Sequence, residues 1–380
     1  MNRVPGNGFK LGLVLVVALS LGLSACAGEK PTTTTTTRSP TTTVSTTTTT
    51  VPETTTTAAP QDPITLKLAT TFQQTEPGGK IVQHFCDYVE EETAGVVAFD
   101  VYFGGDLGNS QEELEMVSSE QVDIITFDPL QNAAKVPLLC FPASVPPDAK
   151  TVLDYFGRLV FDNQDTAPLI RAEATKNNIV YLGFTSAGGN VLISKPPFTA
   201  LTDLAGKKFG TSGSDGAFKA LGLDVVQSSA ADAYKNLSSG TIEATDMTLA
   251  QAIAFKCYEV AKNFIWDSTY SAGSIITVNL RTWQQLTADT QQIMRDAAKD
   301  TAQFSLDLDT EYTQTELKTL AGAGVPVGTL SPEDQAAWWK NLFNAGAADC
   351  MTRAEKLGVA DNMATVLEAA ASYTGLTWTR

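Results

Sequence analysis

Histidine is nearly missing from this 380-residue chain, which has one, His84, together with only five cysteines. One imidazole cannot build an HExxH helix or a multi-histidine zinc site, and it leaves a Ser-His-Asp triad with a single candidate base. That candidate lies on the polar flank of a helix whose apolar face is Ile81, Val82, Phe85 and Val89, the place of a boundary histidine. Positive charge is also scarce: 26 basic side chains stand against 42 acidic ones, for a net charge of -16. The first 60 residues hold the bases Arg3, Lys10, Lys30 and Arg38 and the acids Glu29 and Glu53. The other 320 residues therefore carry 22 bases and 40 acids, a net of -18. A surface this acidic repels phosphate backbones and anionic headgroups, which excludes nucleic acid as a partner. A chain of about 320 residues exceeds what one hydrophobic core usually serves, so two lobes are expected.

The one long apolar run, Leu11 to Leu23, is too short for a comfortable membrane span. It follows Arg3 and Lys10 and ends at Ser24-Ala25-Cys26, so residues 1–26 read as a secretory signal. Leu23-Ser24-Ala25-Cys26 resembles the bacterial lipobox, in which the cysteine becomes the lipidated first residue of the mature protein. Residues 27–61 are rich in threonine and proline and have almost nothing to bury, which makes a disordered stalk. Its roughly 35 residues would reach about 115 Å fully extended and about 33 Å as a flexible coil. The folded part is thus expected on the extracytoplasmic face of the membrane, tethered through Cys26 but clear of the surface. Cys86, Cys140, Cys257 and Cys350 remain. No pair has CxxC spacing, and export with an even count predicts at least one disulfide among them, with no preferred pairing.

From Ile64 onward strands and helices alternate. Residues 64–70 alternate as a strand, 79–93 as a helix, 96–103 as a strand, 111–119 as a helix and 122–127 as a buried strand. The grammar resumes with strands at 179–184, 191–194, 224–227 and 275–280, and a turn at 201–209 feeds another. This is an α/β sheet with crossover helices. Thr287 caps a helix that runs to about Leu320 and stops at Gly322 and Gly324, roughly 50 Å long and able to cross two lobes. A last helix opens at Ser331-Pro332-Glu333-Asp334.

The ordered set from Val89-Glu90-Glu91-Glu92-Thr93-Ala94-Gly95 through Phe103-Gly104-Gly105-Asp106-Leu107-Gly108 and Val122-Asp123-Ile124 resembles the TRAP-transporter solute receptors, the DctP family. Leu201-Thr202-Asp203-Leu204-Ala205-Gly206-Lys207-Lys208, Tyr258-Glu259-Val260-Ala261-Lys262 and Val278-Asn279 with Thr282-Trp283-Gln284-Gln285-Leu286 agree. The resemblance implies an α/β, two-lobed, periplasmic-binding-protein-like clamshell with hinge strands near 179–187 and 270–280 and one long helix spanning both lobes. One lobe would comprise 62–186 plus 272–305, the other 187–271 plus 306–380. It further implies a monomeric receptor without cofactor that closes on a small-molecule solute and presents it to TRAP-type integral membrane permease subunits.

The site departs from the family. Gly210 and Asn190 stand where arginines usually fork onto a substrate carboxylate, an aromatic is absent near Ser229-Ala230, and Met247 replaces an asparagine. Asp128 and Asp246 remain, and Thr71 and Asn109 occupy positions of polar contacts. The expected ligand-binding set is Thr71, Asn109, Asp128, Asn190, Asp246 and Met247. Without the arginine fork, two aspartates disfavour a carboxylate ligand and favour a neutral polyol, a nucleoside-like molecule or a cation. A metal ion bridging an acid to both aspartates is the alternative, and Arg171 and Arg281 are the remaining arginines considered. An ABC-type receptor and an exported hydrolase using paired carboxylates are the competing functions.

Overall fold

The computed structural model describes residues 62–142, 144–211 and 215–380. The signal, Cys26 and the stalk lie outside them. The strands are β1 (Ile64–Thr70), β2 (Val97–Tyr102), β3 (Ile124–Phe127), β4 (Ser144–Val145), β5 (Ile179–Ser194), β6 (Lys208–Thr211), β7 (Asp224–Gln227), β8 (Ala244–Thr248), β9 (Asn263–Asn279) and β10 (Val327–Thr329). The helices are α1 (Pro77–Glu92), α2 (Glu113–Ser118), α3 (Ala149–Gly157), α4 (Thr166–Lys176), α5 (Asp215–Ala220), α6 (Ala233–Ser239), α7 (Leu249–Ala254), α8 (Leu280–Gln285), α9 (Ala288–Gly322), α10 (Pro332–Leu357) and α11 (Ala360–Thr374).

One sheet runs through the molecule in the order β2-β1-β3-β9-β5-β8-β6-β7. Its flanks, β2-β1-β3 and β8-β6-β7, are parallel, as crossover helices require. The antiparallel pair β5 and β9 joins them. Each flank is buried on both faces, so adjacent residues enter different cores: Ile124 and Ile125 go to opposite sides, as do Val191 and Leu192. This gives the two lobes expected.

The segments 179–184 and 191–194, expected as two strands, are the ends of the single 16-residue β5. Register shifts against β9 at Gly183, Ser186 and Gly189 let one strand serve both lobes. Gly188 takes φ +85° within this irregular stretch, a backbone conformation open to glycine at little cost. Gly183 admits α9 closely, since a Cβ there would lie 3.1 Å from Ala298 Cβ.

Helix α9 begins where expected: Thr287 Oγ1 accepts the Thr290 N–H at 3.2 Å. It enters the first lobe's core through Met294, Ala297 and Ala298 and the second lobe's core through Leu320. His84 joins α1 to it, bonding Asp300 at 2.6 Å and stacking on Phe304, a helix-boundary role. Helix α10 opens with Ser331 Oγ accepting the Asp334 N–H, but it is not the last helix, because α11 follows. Trp338, near its start, lies in the second lobe's core. Phe343, Cys350 and Ala354, with Leu367 of α11, pack among Leu138, Tyr155 and Ile170 of the first. Residues 306–380 therefore do not all pack with the second lobe.

The expected disulfide is corrected. Cys86, Cys140, Cys257 and Cys350 are free and buried. Cys86 and Cys257 occupy separate cores. Cys140 and Cys350 share one, where the Cys350 thiol donates to the Cys140 carbonyl at 2.7 Å and the Cys140 thiol donates to the Pro129 and Val136 carbonyls.

Candidate functional site

A cavity of about 1100 Å³ opens between the lobes. Its walls come from the β1–α1 junction (Phe72, Gly78), the end of β3 (Thr126, Asp128), the hinge (Ser186–Asn190, Ser271–Ser274), the second lobe (Thr211, Ser228, Asp246, Met247) and one face of α9 (Asp309, Tyr312, Glu316). Placement at the switch between two parallel half-sheets follows the general rule for open α/β folds.

Four expected residues line this cavity: Asp128, Asn190, Asp246 and Met247. Asp128 is exposed and also caps the turn that follows it, accepting the Leu130 N–H at 2.9 Å. Asn190 donates to Thr269 Oγ1 and Ser271 Oγ, both at 3.1 Å, so its amide is anchored to β9. Asp246 is a β8 residue and not a helix cap, since α7 is capped by Thr248. Burial and the nearby Asp267 push its carboxyl up to about 7. Met247 is 5% exposed and belongs also to the core.

Thr71 and Asn109 are not among the residues lining the cavity. The Thr71 N–H donates to Glu113 Oε1 at 3.1 Å, just behind the wall. Exposed Asn109 organises its own turn through Gln111 and Glu112. Arg171 is exposed on α4, and Arg281 pairs with Glu120 at 3.0 Å, so neither reaches the cleft. Gly210 does not face the cavity either. A Cβ there would meet Ile242 Cδ1 at 2.6 Å and Ser228 Cβ at 3.1 Å, and the β6 residue that lines the cleft is Thr211.

Five charged lining residues were missed by the sequence reading, the exposed Glu76 and Asp349 and three that are more enclosed, Asp309, Glu316 and Arg353. Asp309 lies beside Ser186 and Gly188 of the hinge, whose own contact is the Gly188 N–H donating to Ser186 Oγ at 3.2 Å, and its Oδ2 is buried without a partner. Burial outweighs the favourable influence of these two neighbours and pushes its carboxyl up to about 6. Glu316 is 8% exposed, makes no hydrogen bond, and is pushed up to about 7 by burial and by Asp309. Arg353 of α10 has its Nη1 buried and unpartnered. The only signal for Asp309 and Glu316 in the sequence is their spacing of seven, two turns on one helix face. Asp296, Asp300, Asp307 and Glu311 on the same helix mask it. Among the described residues, no three His, Cys, Asp or Glu side chains stand close enough to hold a metal ion.

Two lobes on one continuous sheet, two strands shared between them and a cavity at the crossover with carboxylates in its wall define a solute-binding protein of the clamshell class. The chain belongs to the DctP family, bacterial extracellular solute-binding protein family 7, whose model matches residues 68–345. It is 25% identical over 274 residues to a solute-binding protein of Sulfitobacter sp., covering 70% of this chain and 81% of that one. It is 24% identical over 282 residues to the C4-dicarboxylate-binding periplasmic protein DctP of Rhodobacter capsulatus, covering 73% and 84%. Among solved structures, the ectoine-binding protein TeaA in its apo state superposes with a TM-score of 0.70 at 18% identity, over 82% of this chain and 100% of that one. An apo, open TRAP periplasmic solute-binding protein of Rhodobacter sphaeroides gives 0.71 at 18% identity, over 81% and 99%.

Members of this family are the substrate-binding receptors of TRAP transporters and not enzymes, so this chain is an extracytoplasmic receptor for small ligands. The hydrolase and ABC-type readings end there. Among the described residues no helix is long and apolar enough to cross a membrane.

Proposed function

We propose that this chain is a lipid-anchored, monomeric TRAP receptor that delivers a small polar ligand, other than a simple carboxylic acid, to its permease subunits. The lipobox-like Leu23-Ser24-Ala25-Cys26 and the threonine-rich stalk support the anchor. The observation that carries the ligand reading is the charge of the cleft: Glu76, Asp128, Asp246, Asp309, Glu316 and Asp349 line it against one cation, Arg353. A carboxylate entering this field meets repulsion from several walls and one guanidinium far along α10. Asn190 and Thr211 offer only neutral groups where a bidentate fork would be needed.

Ligand binding across both walls stabilises the closed arrangement of the lobes about β5 and β9, and the permease then meets a receptor whose shape reports occupancy. Calorimetry on the full-length chain tests the ligand class, with pyruvate, succinate and sialic acid in one series and neutral sugars and nucleosides in another. The three acids are expected to bind weakly or not at all. Submicromolar binding of any of them without added metal overturns the reading.

A further inference from the structure

We propose that the ligand carries a protonated nitrogen, seated against Glu316 and Asp309 of the long helix. The proposal rests on the receptor reading above and deepens it to a chemical class.

Glu316 is nine-tenths buried, lines the cavity and has no hydrogen-bond partner. A carboxyl group largely removed from water without a partner is costly unless it is protonated or meets a partner that arrives later. Asp309 repeats the pattern one step along the same face. Its carboxylate lies beside Ser186 and Gly188 of the hinge, and Oδ2 is buried and unpaired. Seven residues on an α-helix amount to a rise of about 10.5 Å and nearly two full turns, so both side chains leave α9 on one face. Burial raises the proton affinity of both, and Asp309 adds to that of Glu316.

The neighbours fit the same occupant. The Tyr312 ring, between the two acids in sequence, lines the cavity, and Lys80 Nζ lies over it at 5.4 Å from the centroid. Lys80 of α1 is already engaged there, donating to the Tyr312 hydroxyl at 3.0 Å, and does not line the cavity. Asp246 adds a third carboxyl from β8. A neutral polyol could hydrogen-bond to these groups but would leave their charge uncompensated, whereas an ammonium or amidinium group supplies donors and charge together. The link from Asp309 to the β5 bulge also places the cation beside the hinge.

The test is calorimetry and thermal shift on the full-length chain with three probe sets: putrescine, agmatine and spermidine; succinate and galacturonate; ribose and myo-inositol. At least one nitrogen cation is expected to bind with a dissociation constant in the micromolar range or tighter. Its affinity is expected to fall about ten- to a hundredfold in Glu316→Gln, the usual effect of losing one charge-assisted pair. Asp309→Asn is expected to act in the same direction, and Glu311→Gln, at an exposed neighbouring position, to leave binding unchanged. Circular dichroism and the unliganded melting midpoint check that each variant folds. Tight binding of an acid or polyol that Glu316→Gln leaves intact overturns this inference while keeping the receptor reading. Binding of none of the probes overturns both.

Discussion

Replacing Glu113 by glutamine should make the receptor more stable in mild alkali while leaving it nearly unchanged in mild acid. Glu113 opens α2 directly behind the cleft wall and is 1% exposed. Its Oε1 accepts the Thr71 N–H at 3.1 Å, and its Oε2 is buried without a partner. Burial, with a smaller push from Asp128, raises its carboxyl from an ordinary 4.5 to about 8. A carboxyl whose folded value lies above its unfolded value favours the fold below about 4.5, and that contribution is lost as pH climbs through about 8. At about 1.4 kcal/mol for each tenfold change in proton affinity, the ceiling is near 5 kcal/mol. Water penetration and local relaxation bring the expected loss to about 2–3 kcal/mol.

Glutamine keeps an oxygen for Thr71 and removes the titration. At pH 5 wild type and Glu113→Gln each bury one unpaired donor and should melt within about 2 °C of each other. At pH 8.5 the variant should melt about 4–12 °C higher, taking about 2–4 °C per kcal/mol. Thermal unfolding at pH 5, 7 and 8.5 in one ionic strength reads the difference. Midpoints that stay parallel across that range refute the assignment of a buried, partly neutral acid beneath the Thr71 turn.

Three further outcomes are expected. Cys26→Ser should move the protein from the membrane fraction to the soluble fraction without changing its melting midpoint, and a variant that still sediments with membranes sinks the lipid anchor. Asp267→Ala should destabilise the fold by about 3–5 kcal/mol, because the Thr269 N–H, the Thr269 hydroxyl and the Trp338 indole N–H all donate to that 2%-exposed carboxylate at 2.8–3.0 Å and would lose their acceptor; urea unfolding reads this, and a loss under 1 kcal/mol counts against it. Alkylation without reductant should label Cys86, Cys140, Cys257 and Cys350 completely in denaturant and hardly at all in the native state, as mass spectrometry would record, whereas fewer than four alkylated thiols in denaturant would restore a disulfide.

Local chemistry decided what was legible in the sequence. Thr287 and Ser331 cap α9 and α10 because their side-chain oxygens accept backbone N–H groups three residues on, an interaction complete within one turn. The parallel strands were readable because burial on both faces leaves continuous apolar runs such as Val122 to Phe127. The acidity of the chain needed only counting. Asp128 follows the strand read at 122–127, whereas Asp246 was marked only by the family resemblance, since β8 was not read as a strand.

Tertiary structure alone decided what meets what. Whether residue 210 or 211 faces the cleft depends on strand register, where a shift of one residue reverses the face, and Ile242 occupies the space beside Gly210. Glu316 lines the cavity and Glu311 faces the surface because of how α9 lies against the lobes, although both are acids on the same helix. The free state of Cys140 and Cys350 turns on backbone carbonyls that take up their thiol hydrogens within a shared core. The cavity itself collects side chains from Phe72 to Arg353 through crossovers and two shared strands, a convergence that no short-range pattern encodes.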